Sequence, residues 1–344
     1  MHQDKHSYLR HIIYVLSGTL TLPQLKQRAA ELAAQAFRPG TQQNHRIQAR
    51  VYKQFCNTYG FNWRAPTEDT LVWYITHLVD RFQSAASVRN YFSGAKFVFK
   101  DMCLDPPAFH SHHVAWQLRA ADLTMRTPPS PKLPISPQLL TQLCQLCPGL
   151  GPLGPAMKVA LTFGFFGMLR QSNLAPASAQ DFDRTRHTCC GDVFLAPPGL
   201  VVYVKWAKAQ QAVQDTNLLP LPELKGHPAD PVAAFRQLTL LSPSRSSMQP
   251  LLTHPSPAGR VTVTTAHLSK ALQDMLTTLR LPARSYSLHS LRRGGCTAAY
   301  KQNVPVVDVK RHGRWTSDAF WGYVAAPQVA NSKVASALHR AVTQ

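Results

Sequence analysis

The segment from Thr127 to Pro137 most constrains how this chain can fold, because five of its eleven residues are proline. Proline removes a backbone hydrogen-bond donor and disfavours helix at the residue before it. The segment therefore predicts an extended linker between two separately folded parts. A chain of 344 residues is long enough for both. We assign 1–40 to an N-terminal extension, 41–124 to a helical domain, 125–137 to the linker and 138–344 to a second domain.

The part before the linker has the spacing of amphipathic helices. In 41–59, three apolar residues recur on one helical face and Thr41 is a candidate N-cap. Further helices are predicted over 67–82 and 87–102. The residues expected to face inward are Ile47, Val51 and Phe55 in the first helix and Val88, Phe92, Ala95 and Phe99 in the third.

The part after the linker mixes helices and strands. Helical patterns occur at 137–147 and 156–170 and over roughly the last 80 residues. Strand-like runs occur at 193–195 and 200–206, joined by an Ala-Pro-Pro-Gly turn, with a third strand at 217–221. A Pro- and Ser-rich loop is expected over 241–259. The whole chain is therefore predicted to be mainly α, with a helical N-terminal domain and a mostly helical second domain that holds one small antiparallel sheet.

The charge of the chain indicates a polyanionic partner. Lys and Arg number 37 and Asp and Glu only 17, which gives a net charge of +20. Only 16% of residues are charged, against about 25% in typical soluble domains, so the excess comes from missing carboxylates. Nucleic acid is the favoured partner, and an anionic membrane surface is the alternative.

Several other classes of protein are disfavoured. The longest strongly apolar run, 159–169, is too short to span a bilayer, so no transmembrane segment is expected, and nucleic acid is preferred to a membrane as the partner. Seven cysteines at irregular spacing do not form a disulfide framework, which favours an intracellular location. The lone Cys144-x-x-Cys147 lies in an apolar helical pattern without further ligands at metal spacing, so no metal site is predicted. No glycine-rich nucleotide-binding motif occurs.

Two of the predicted helices carry basic residues beside their apolar stripes. Such residues neutralise the phosphates of a duplex, although they also occur on ordinary solvated helix faces. The candidate DNA-binding residues are Arg46, Arg50 and Lys53 in the first helix and Arg89, Lys96 and Lys100 in the third.

Three short segments carry reactive side chains. In FGFFGMLRQSNL (163–174) an apolar helix is expected to end in Arg170, which either binds an anion or caps the helix. In SLHSLRRGG (287–295) His289 and Arg292 share one helical face, behind Ser287 as a candidate N-cap, and together suit a phosphate. In GRWTSDAFWGY (313–323) Tyr323 is expected in a short helix capped by Thr316 or Ser317. A tyrosine in such surroundings is ordinarily a core residue.

In this order, the segments resemble the tyrosine recombinase (phage-integrase-like) superfamily. LRQSNL resembles its first arginine box, HSLR its second and GRWTSDAFWGY its tyrosine box. The wording GRW-x-SDAF-xx-Y is closest to recombinases of eukaryotic DIRS-type and Crypton-type mobile elements. The region from Thr41 to Leu123 resembles the core-binding domain of that family. The resemblance therefore implies the tyrosine recombinase catalytic fold for the second domain.

The resemblance also implies catalytic roles. Arg170 and Arg292 match the arginines that clamp the scissile phosphate, and His289 matches the histidine that assists proton transfer. Trp315 stands at the position that is His or Trp in the family, with His312 as a nearby alternative, and Tyr323 matches the nucleophile. The family places a general-acid lysine on a β-hairpin. Lys205 and Lys208 are the candidates, and Lys208 is preferred because relatives often read W-S-K-T at 206–209. Asn173 replaces an acid common among relatives.

The implied activity is DNA strand breakage and rejoining through a covalent 3′-phosphotyrosine, with no metal, ATP or other cofactor. The alternatives are a recombinase-derived protein that binds DNA without cutting it, and a type IB topoisomerase. The implied partners are double-stranded DNA and three further copies of the chain, in a homotetramer joined through a C-terminal tail helix. That tail carries Val334, Leu338 and Val342 at helical spacing, and packing on its own domain is the alternative. A mobile-element origin implies a nuclear location, and otherwise a cytoplasmic one.

Overall fold

The structure is a computed structural model that describes residues 20–35, 39–102, 104–125, 132–197, 199–205, 218–241, 246–257, 259–315 and 317–324. Contacts divide the chain into two compact units, Met1–Pro129 and Ser130–Gln344. The division falls inside the proline-rich segment. Within the ranges described, no helix has the length and apolar character needed to cross a membrane.

The described part of the first unit is helical. Thr67 and Ser84 cap two of its helices, because their side chains accept hydrogen bonds from backbone N–H groups in the first turn. The helices are α1 (Leu22–Gln35), α2 (Pro39–Tyr59), α3 (Glu68–Arg81), α4 (Ala85–Asp101) and α5 (His112–Thr124). The four residues of α4 predicted to face inward are all buried, which confirms the spacing argument for that helix: Val88, Phe92, Ala95 and Phe99.

Helix α2 buries part of the predicted face, with Val51 half-buried against the core, and turns a neighbouring face inward as well. Phe55 is buried as expected, but Ile47 is 42% exposed. Tyr52 is fully buried instead, with its ring 5.1 Å from that of Tyr74 in α3. The helix also begins before Thr41, which is therefore not its N-cap. A tyrosine has a large apolar ring beside one polar atom, so its burial depends on the partner ring across the core.

The second unit is built around one apolar helix. Its helices are α6 (Pro137–Leu146), α7 (Gly154–Phe166), α8 (Gln171–Leu174), α9 (Pro231–Leu240), α10 (Thr265–Thr278), α11 (His289–Lys301) and α12 (Val306–Gly313). Helix α7 is apolar on all sides and packs against α9 and α11. It ends at Phe166, so the prediction that this helix ends in Arg170 is wrong. The chain leaves the helix four residues earlier and turns before it reaches the arginine.

Two small antiparallel sheets complete the second unit. One has the strand order β1 (Val193–Ala196), β2 (Gly199–Tyr203) and β3 (Leu218–Pro222). In it Val202 faces Val193 on one side and Leu219 on the other, and all three are buried. The other sheet pairs β4 (Thr253–Ser256) with β5 (Gly259–Thr262). Its first strand lies in the segment predicted as a loop, because Thr-His-Pro-Ser has no alternation of apolar residues. The chain is thus mainly α, as predicted.

Candidate active site

Arg292 joins the ends of two helices in the second unit. It lies near the start of α11 and is only 2% exposed. Its Nη2 donates to the carbonyl of Gly313 at 2.6 Å, and its Nη1 donates to the carbonyl of Met168. Met168 follows α7 and Gly313 ends α12. Terminal carbonyls of helices lack intrahelical partners and carry partial negative charge, so they stabilise a buried cation.

Aromatic rings cover the same guanidinium. Its central carbon lies 3.8 Å from the ring centroid of Trp315 and 5.3 Å from that of Tyr323. No carboxylate pairs with Arg292 among the described side chains, and its buried Nε has no hydrogen-bond partner there. Burial and then the like charge of Arg170 lower the pKa of Arg292. A buried cation without a counter-ion favours an anionic ligand.

Tyr323 lies among the predicted catalytic residues. Its ring centroid is 4.9 Å from that of His289 and 5.0 Å from that of Trp315. Together with the Arg292 contact, these distances bring three residues from α11 and from the segment after α12 onto one tyrosine. In the sequence His289 and Tyr323 lie in different segments, so the fold itself creates this cluster.

The backbone on both sides of Tyr323 is anchored. A 3₁₀ turn, Asp318–Gly322, precedes it, and its N–H donates to the carbonyl of Phe320 at 2.8 Å. Phe320 is fully buried and Val324 is 5% exposed. The expected short helix is a 3₁₀ turn that ends just before Tyr323, and Ser317 precedes it without capping it through its side chain. Thr316, the other candidate cap, lies outside the described residues.

His289 is the first residue of α11. Ser287 does not cap this helix, since the preceding residue is Leu288 and no side chain accepts from the first turn. Burial first, and then the charges of Arg292, Arg170 and Arg293, lower the pKa of His289 to about 4. The imidazole is therefore neutral at pH 7, and one ring nitrogen is free of a proton.

Arg170 lies at the start of the short helix α8. Its backbone N–H donates to Asn173 Oδ1 at 3.3 Å, and the Asn173 N–H donates back to the Arg170 carbonyl at 2.9 Å. Asn173 is 3% exposed, and its carbonyl accepts from the Thr188 hydroxyl at 2.9 Å. The Asn173 amide thus fixes the backbone of Arg170. The charge of Arg170 lowers the pKa of both His289 and Arg292, so Arg170 belongs to the same cluster.

The two candidate lysines are placed differently. Lys205 follows β2, and its Nζ lies 2.7 Å from Asp192 Oδ2. The same Nζ donates to the carbonyl of Arg184 at 2.8 Å and lies 3.2 Å from Cys189 Sγ. Burial opposes the charge of Lys205, but the hydrogen bonds and charge interactions with Asp192 and Cys189 together outweigh it and raise the pKa of Lys205. Lys208 lies outside the described residues.

His312 and Trp315 contact different parts of the site. His312 Nε2 lies 2.8 Å from the carbonyl of Phe166, at the end of α7. Because a carbonyl only accepts, that nitrogen carries the proton. Burial lowers the pKa of His312. Trp315, which is 7% exposed, instead contacts Arg292 and Tyr323.

The basic residues of the first unit are at its surface, but some already have partners. Arg46 and Arg50 of α2 are exposed, as is Lys100 of α4. Arg89 forms an ion pair with Asp122 of α5. The Nζ of the two remaining lysines lies over aromatic rings, at 4.1 Å from Trp63 for Lys53 and at 5.7 Å from Phe92 and Phe109 for Lys96.

Three features of the site are absent from the sequence prediction. Arg314 follows α12, is largely buried, and has its pKa lowered by burial and by Arg170. Its place between Gly313 and the predicted Trp315 was the signal that could have identified it. The other two features are the carbonyls of Met168 and Gly313 that bind Arg292. Any residue type supplies a carbonyl, so no sequence motif marks them.

A metal-binding cluster is not evident in the described part of the chain, where no three His, Cys, Asp or Glu side chains converge. Cys144 and Cys147 of the C-x-x-C motif are buried, and burial raises the pKa of each thiol to about 12. Such thiols stay protonated at neutral pH and are poor metal ligands.

Comparison with solved structures identifies the fold. The Tn1549 transposon integrase in complex with transposon right-end DNA matches with a TM-score of 0.57 and 13% identity, over 89% of this chain and 96% of that one. The chain has the tyrosine recombinase fold. A lambda integrase dimer bound to a core site matches with a TM-score of 0.52 and 13% identity, over 92% of this chain and 85% of that one.

A third structure with this fold is the XerH site-specific recombinase bound to a palindromic difH substrate. It matches with a TM-score of 0.52 and 12% identity, over 79% of this chain and 72% of that one. No protein-family model and no curated protein sequence matches the chain. At these identities the likeness concerns the fold, and the closer resemblance to DIRS-type and Crypton-type elements stays a prediction.

Proposed function

We propose that this chain is a tyrosine recombinase that breaks and rejoins DNA strands through Tyr323. The observation that carries the proposal is the cluster in which Arg292, His289 and Trp315 contact the tyrosine ring at 4.9 to 5.3 Å between centres. A core tyrosine does not need a buried arginine without a counter-ion beside it. A nucleophile that attacks a phosphate does.

In the proposed reaction the phenol oxygen of Tyr323 attacks phosphorus and the bond from phosphorus to the 5′-oxygen breaks. The product is a 3′-phosphotyrosine, which conserves the energy of the phosphodiester, so ATP is not required for rejoining. Arg170 and Arg292 hold the non-bridging oxygens as negative charge builds on them. Two preorganised guanidinium groups serve as an oxyanion hole, which is why no metal is invoked.

Two proton transfers complete the step. The neutral imidazole of His289 accepts a hydrogen bond from, or a proton of, the attacking phenol. Lys208 donates a proton to the leaving 5′-oxygen, which is a poor leaving group until it is protonated. Lys205 is the weaker candidate, because its ammonium is already bonded to Asp192 and to a backbone carbonyl. Rejoining runs the same transfers in reverse.

DNA binding and assembly around the proposed reaction are assigned to other parts of the chain. The exposed basic residues of α2 and α4 are proposed to bind the phosphate backbone of duplex DNA on either side of the cleavage site. The tail after Val324, outside the described residues, is proposed to join four protomers on paired DNA sites. A nuclear location is also proposed, because the resemblance to recombinases of eukaryotic mobile elements implies one.

The test is covalent capture of DNA. Duplexes that bind the protein are first selected from a random pool, and each is then nicked at successive positions so that a cleaved strand end diffuses away. We expect wild-type protein to form a denaturant-resistant adduct on one of these nicked duplexes. Tyr323→Phe, which keeps the ring and removes the nucleophilic oxygen, forms none. Tyr300→Phe is the matched control, since Tyr300 borders the same buried cluster.

The other possible results assign either a different nucleophile or a different function. Equal adduct from Tyr323→Phe would show that another residue is the nucleophile. Binding without adduct on every nicked duplex favours the protein that binds DNA without cutting it. Adduct together with relaxation of supercoiled plasmid, but without exchange between two sites, favours the type IB topoisomerase.

A further inference from the structure

Two residues with left-handed backbone frame the site. Four described non-glycine residues have positive φ, and two of them are Met168, at 46°, and Arg314, at 58°. The carbonyl of Met168 and the carbonyl just before Arg314, that of Gly313, are the two acceptors of Arg292. Left-handed backbone is unfavourable for residues other than Gly and Asn. Where such a conformation occurs at another residue, it is often found at a functional site.

The backbone role of Arg314 does not require arginine. As the residue after α12 it has φ 58° and ψ 52°, and its N–H donates to the carbonyl of Arg311 at 3.0 Å. This turn brings the next residue, Trp315, onto Arg292. Glycine is the residue usually found at such a helix end, and asparagine is also tolerated. The guanidinium therefore has another reason to be there.

The side chain of Arg314 is largely buried but unneutralised. No described side chain forms an ion pair or hydrogen bond with it. Burial, followed by the like charge of Arg170, lowers its pKa to about 10. The charge of Arg170 also lowers the pKa of Arg292. The charge of Arg170 thus acts on both other arginines, and a largely buried cation without a counter-ion, as Arg314 is, favours an anionic ligand.

We propose that Arg314 binds a DNA phosphate that adjoins the scissile phosphate, beside the site formed by Arg170 and Arg292. The inference rests on the proposed function for the identity of the ligand. Successive phosphates of one strand present a row of negative charges. Arg314 stands next to the Arg292 site, because the residue before it, Gly313, accepts a hydrogen bond from Arg292 and the residue after it, Trp315, lies against Arg292. Arg314 is a binding residue and takes no part in proton transfer.

The variants exploit the left-handed backbone. Arg314→Asn and Arg314→Gly both remove the charge and both suit the observed φ, so the folded state is kept. Arg314→Lys keeps a charge but loses the planar donors. Arg311→Gln is the control, because Arg311 lies on the same helix with an exposed side chain. All variants are made in Tyr323→Phe protein, so that equilibrium binding is measured without cleavage.

The DNA probes are selected duplexes that carry one neutral methylphosphonate, at the scissile position or at either adjoining position. We expect Arg314→Asn to weaken binding about tenfold or more, as loss of a charged hydrogen bond does, and to lower the salt slope by about one. On the duplex with the adjoining methylphosphonate, wild-type Arg314 and Arg314→Asn should bind equally. Thermal unfolding should be unchanged or at higher temperature for Asn and Gly.

Other outcomes overturn the inference. If Arg314→Asn bound DNA as tightly as the control variant, no phosphate would contact Arg314. The same conclusion would follow if the loss of affinity from Arg314→Asn simply added to the loss from the methylphosphonate at every modified position. If the effect of Arg314→Asn disappeared only on the duplex with the methylphosphonate at the scissile position, Arg314 would belong to the site of Arg170 and Arg292 instead. Failure of the proposed function is recognised separately, as absence of adduct from wild-type Tyr323. The losses of affinity and of salt slope on the unmodified selected duplexes do not require cleavage and are still measured in that case.

Discussion

At the scale of the residue, Arg292 shows how a cation is kept inside a protein without a carboxylate. Its donors reach two carbonyls at helix ends, at 2.6 Å for Gly313, and its flat face lies 3.8 Å from the Trp315 ring. Carbonyl dipoles and a ring quadrupole offset part of the desolvation but supply no full negative charge. The site therefore holds its arginine in place while leaving its charge for a ligand. A carboxylate partner would compete with that ligand.

His289 gives a prediction for pH dependence. Its pKa of about 4 in the folded state lies below the value of about 6.5 in an unfolded chain. The unfolded chain therefore binds the proton more strongly, and stability falls as pH drops from about 6.5 towards 4. His289→Gln should lose less stability over this window, with the two curves parallel above about pH 7. Urea unfolding across this pH range measures the difference.

The control for that experiment is His112→Gln, because His112 is exposed. Its curve should follow that of the wild type. If His289→Gln also followed the wild type throughout, the imidazole would be titrating normally in the folded protein. Neither burial nor the charges of Arg292, Arg170 and Arg293 would then act on it.

At the scale of the element, a 3₁₀ turn positions the proposed nucleophile. The turn Asp318–Gly322 is short and would be marginal alone, but Phe320 is fully buried, with its ring centroid 5.5 Å from that of Trp315. Trp315 in turn contacts Arg292 and Tyr323. One buried ring thus links the turn to the arginine, and the position of Tyr323 depends on packing more than on helix propensity.

Phe320→Ala tests this link. Removal of a buried phenylalanine ring typically lowers the free energy of unfolding by about 3–5 kcal/mol. We expect such a loss in urea unfolding, and less adduct per folded molecule because Tyr323 is no longer held. Trp321→Ala is the matched control, since the next ring along the chain is 50% exposed. A destabilised Phe320→Ala protein that forms adduct at the wild-type rate would contradict the positioning role.

At the scale of the whole molecule, the net charge of +20 acts in two ways. Exposed cations of the first unit act at long range on a polyanion and are screened by salt. Buried cations of the second unit are proposed to act on the phosphates at the cleavage site. From residue 286 to the C-terminus there are eight Lys or Arg against two Asp, so this segment is strongly basic.

The first effect predicts a contrast between two arginines of the first unit. Arg50→Gln should lower the slope of log affinity against log salt by about one, because Arg50 is exposed and carries no described ion pair. Arg89→Gln should lower it less, since Asp122 already neutralises Arg89. Fluorescence anisotropy with a selected duplex at several salt concentrations measures both. Equal slopes for the two variants would show that the ion pair opens on binding.

The tail gives a prediction about assembly. A protein that ends at Val324 should still form the covalent adduct on one nicked duplex, because the proposed catalytic residues precede that point. It should fail to form complexes of four protomers on paired sites, as measured by sedimentation. A truncated protein that assembles normally but unfolds at lower temperature would instead show that the tail packs on its own domain.

Much of the secondary structure could be predicted from the sequence, but not all of it. Helices α3 and α4 and the β1–β2 hairpin have local spacing and caps that specify them. The buried face of α2 could be predicted only in part, because it is the ring of Tyr74 in another helix that selects Tyr52 over Ile47. The β4–β5 hairpin was missed because buried residues beside the strands, not within them, hold it: Leu251, Leu252 and Val263.

The sequence by itself determined which side chains the site can use. Arg170, His289, Arg292, Trp315 and Tyr323 were all named from motifs, because phosphate chemistry needs particular side chains in a particular order. Only the tertiary structure decided how they are held. Arg292 bonds to carbonyls 124 and 21 residues away, and Arg314 depends on a left-handed turn. Every residue carries a carbonyl and a backbone angle, so these contacts arise only when the chain has folded.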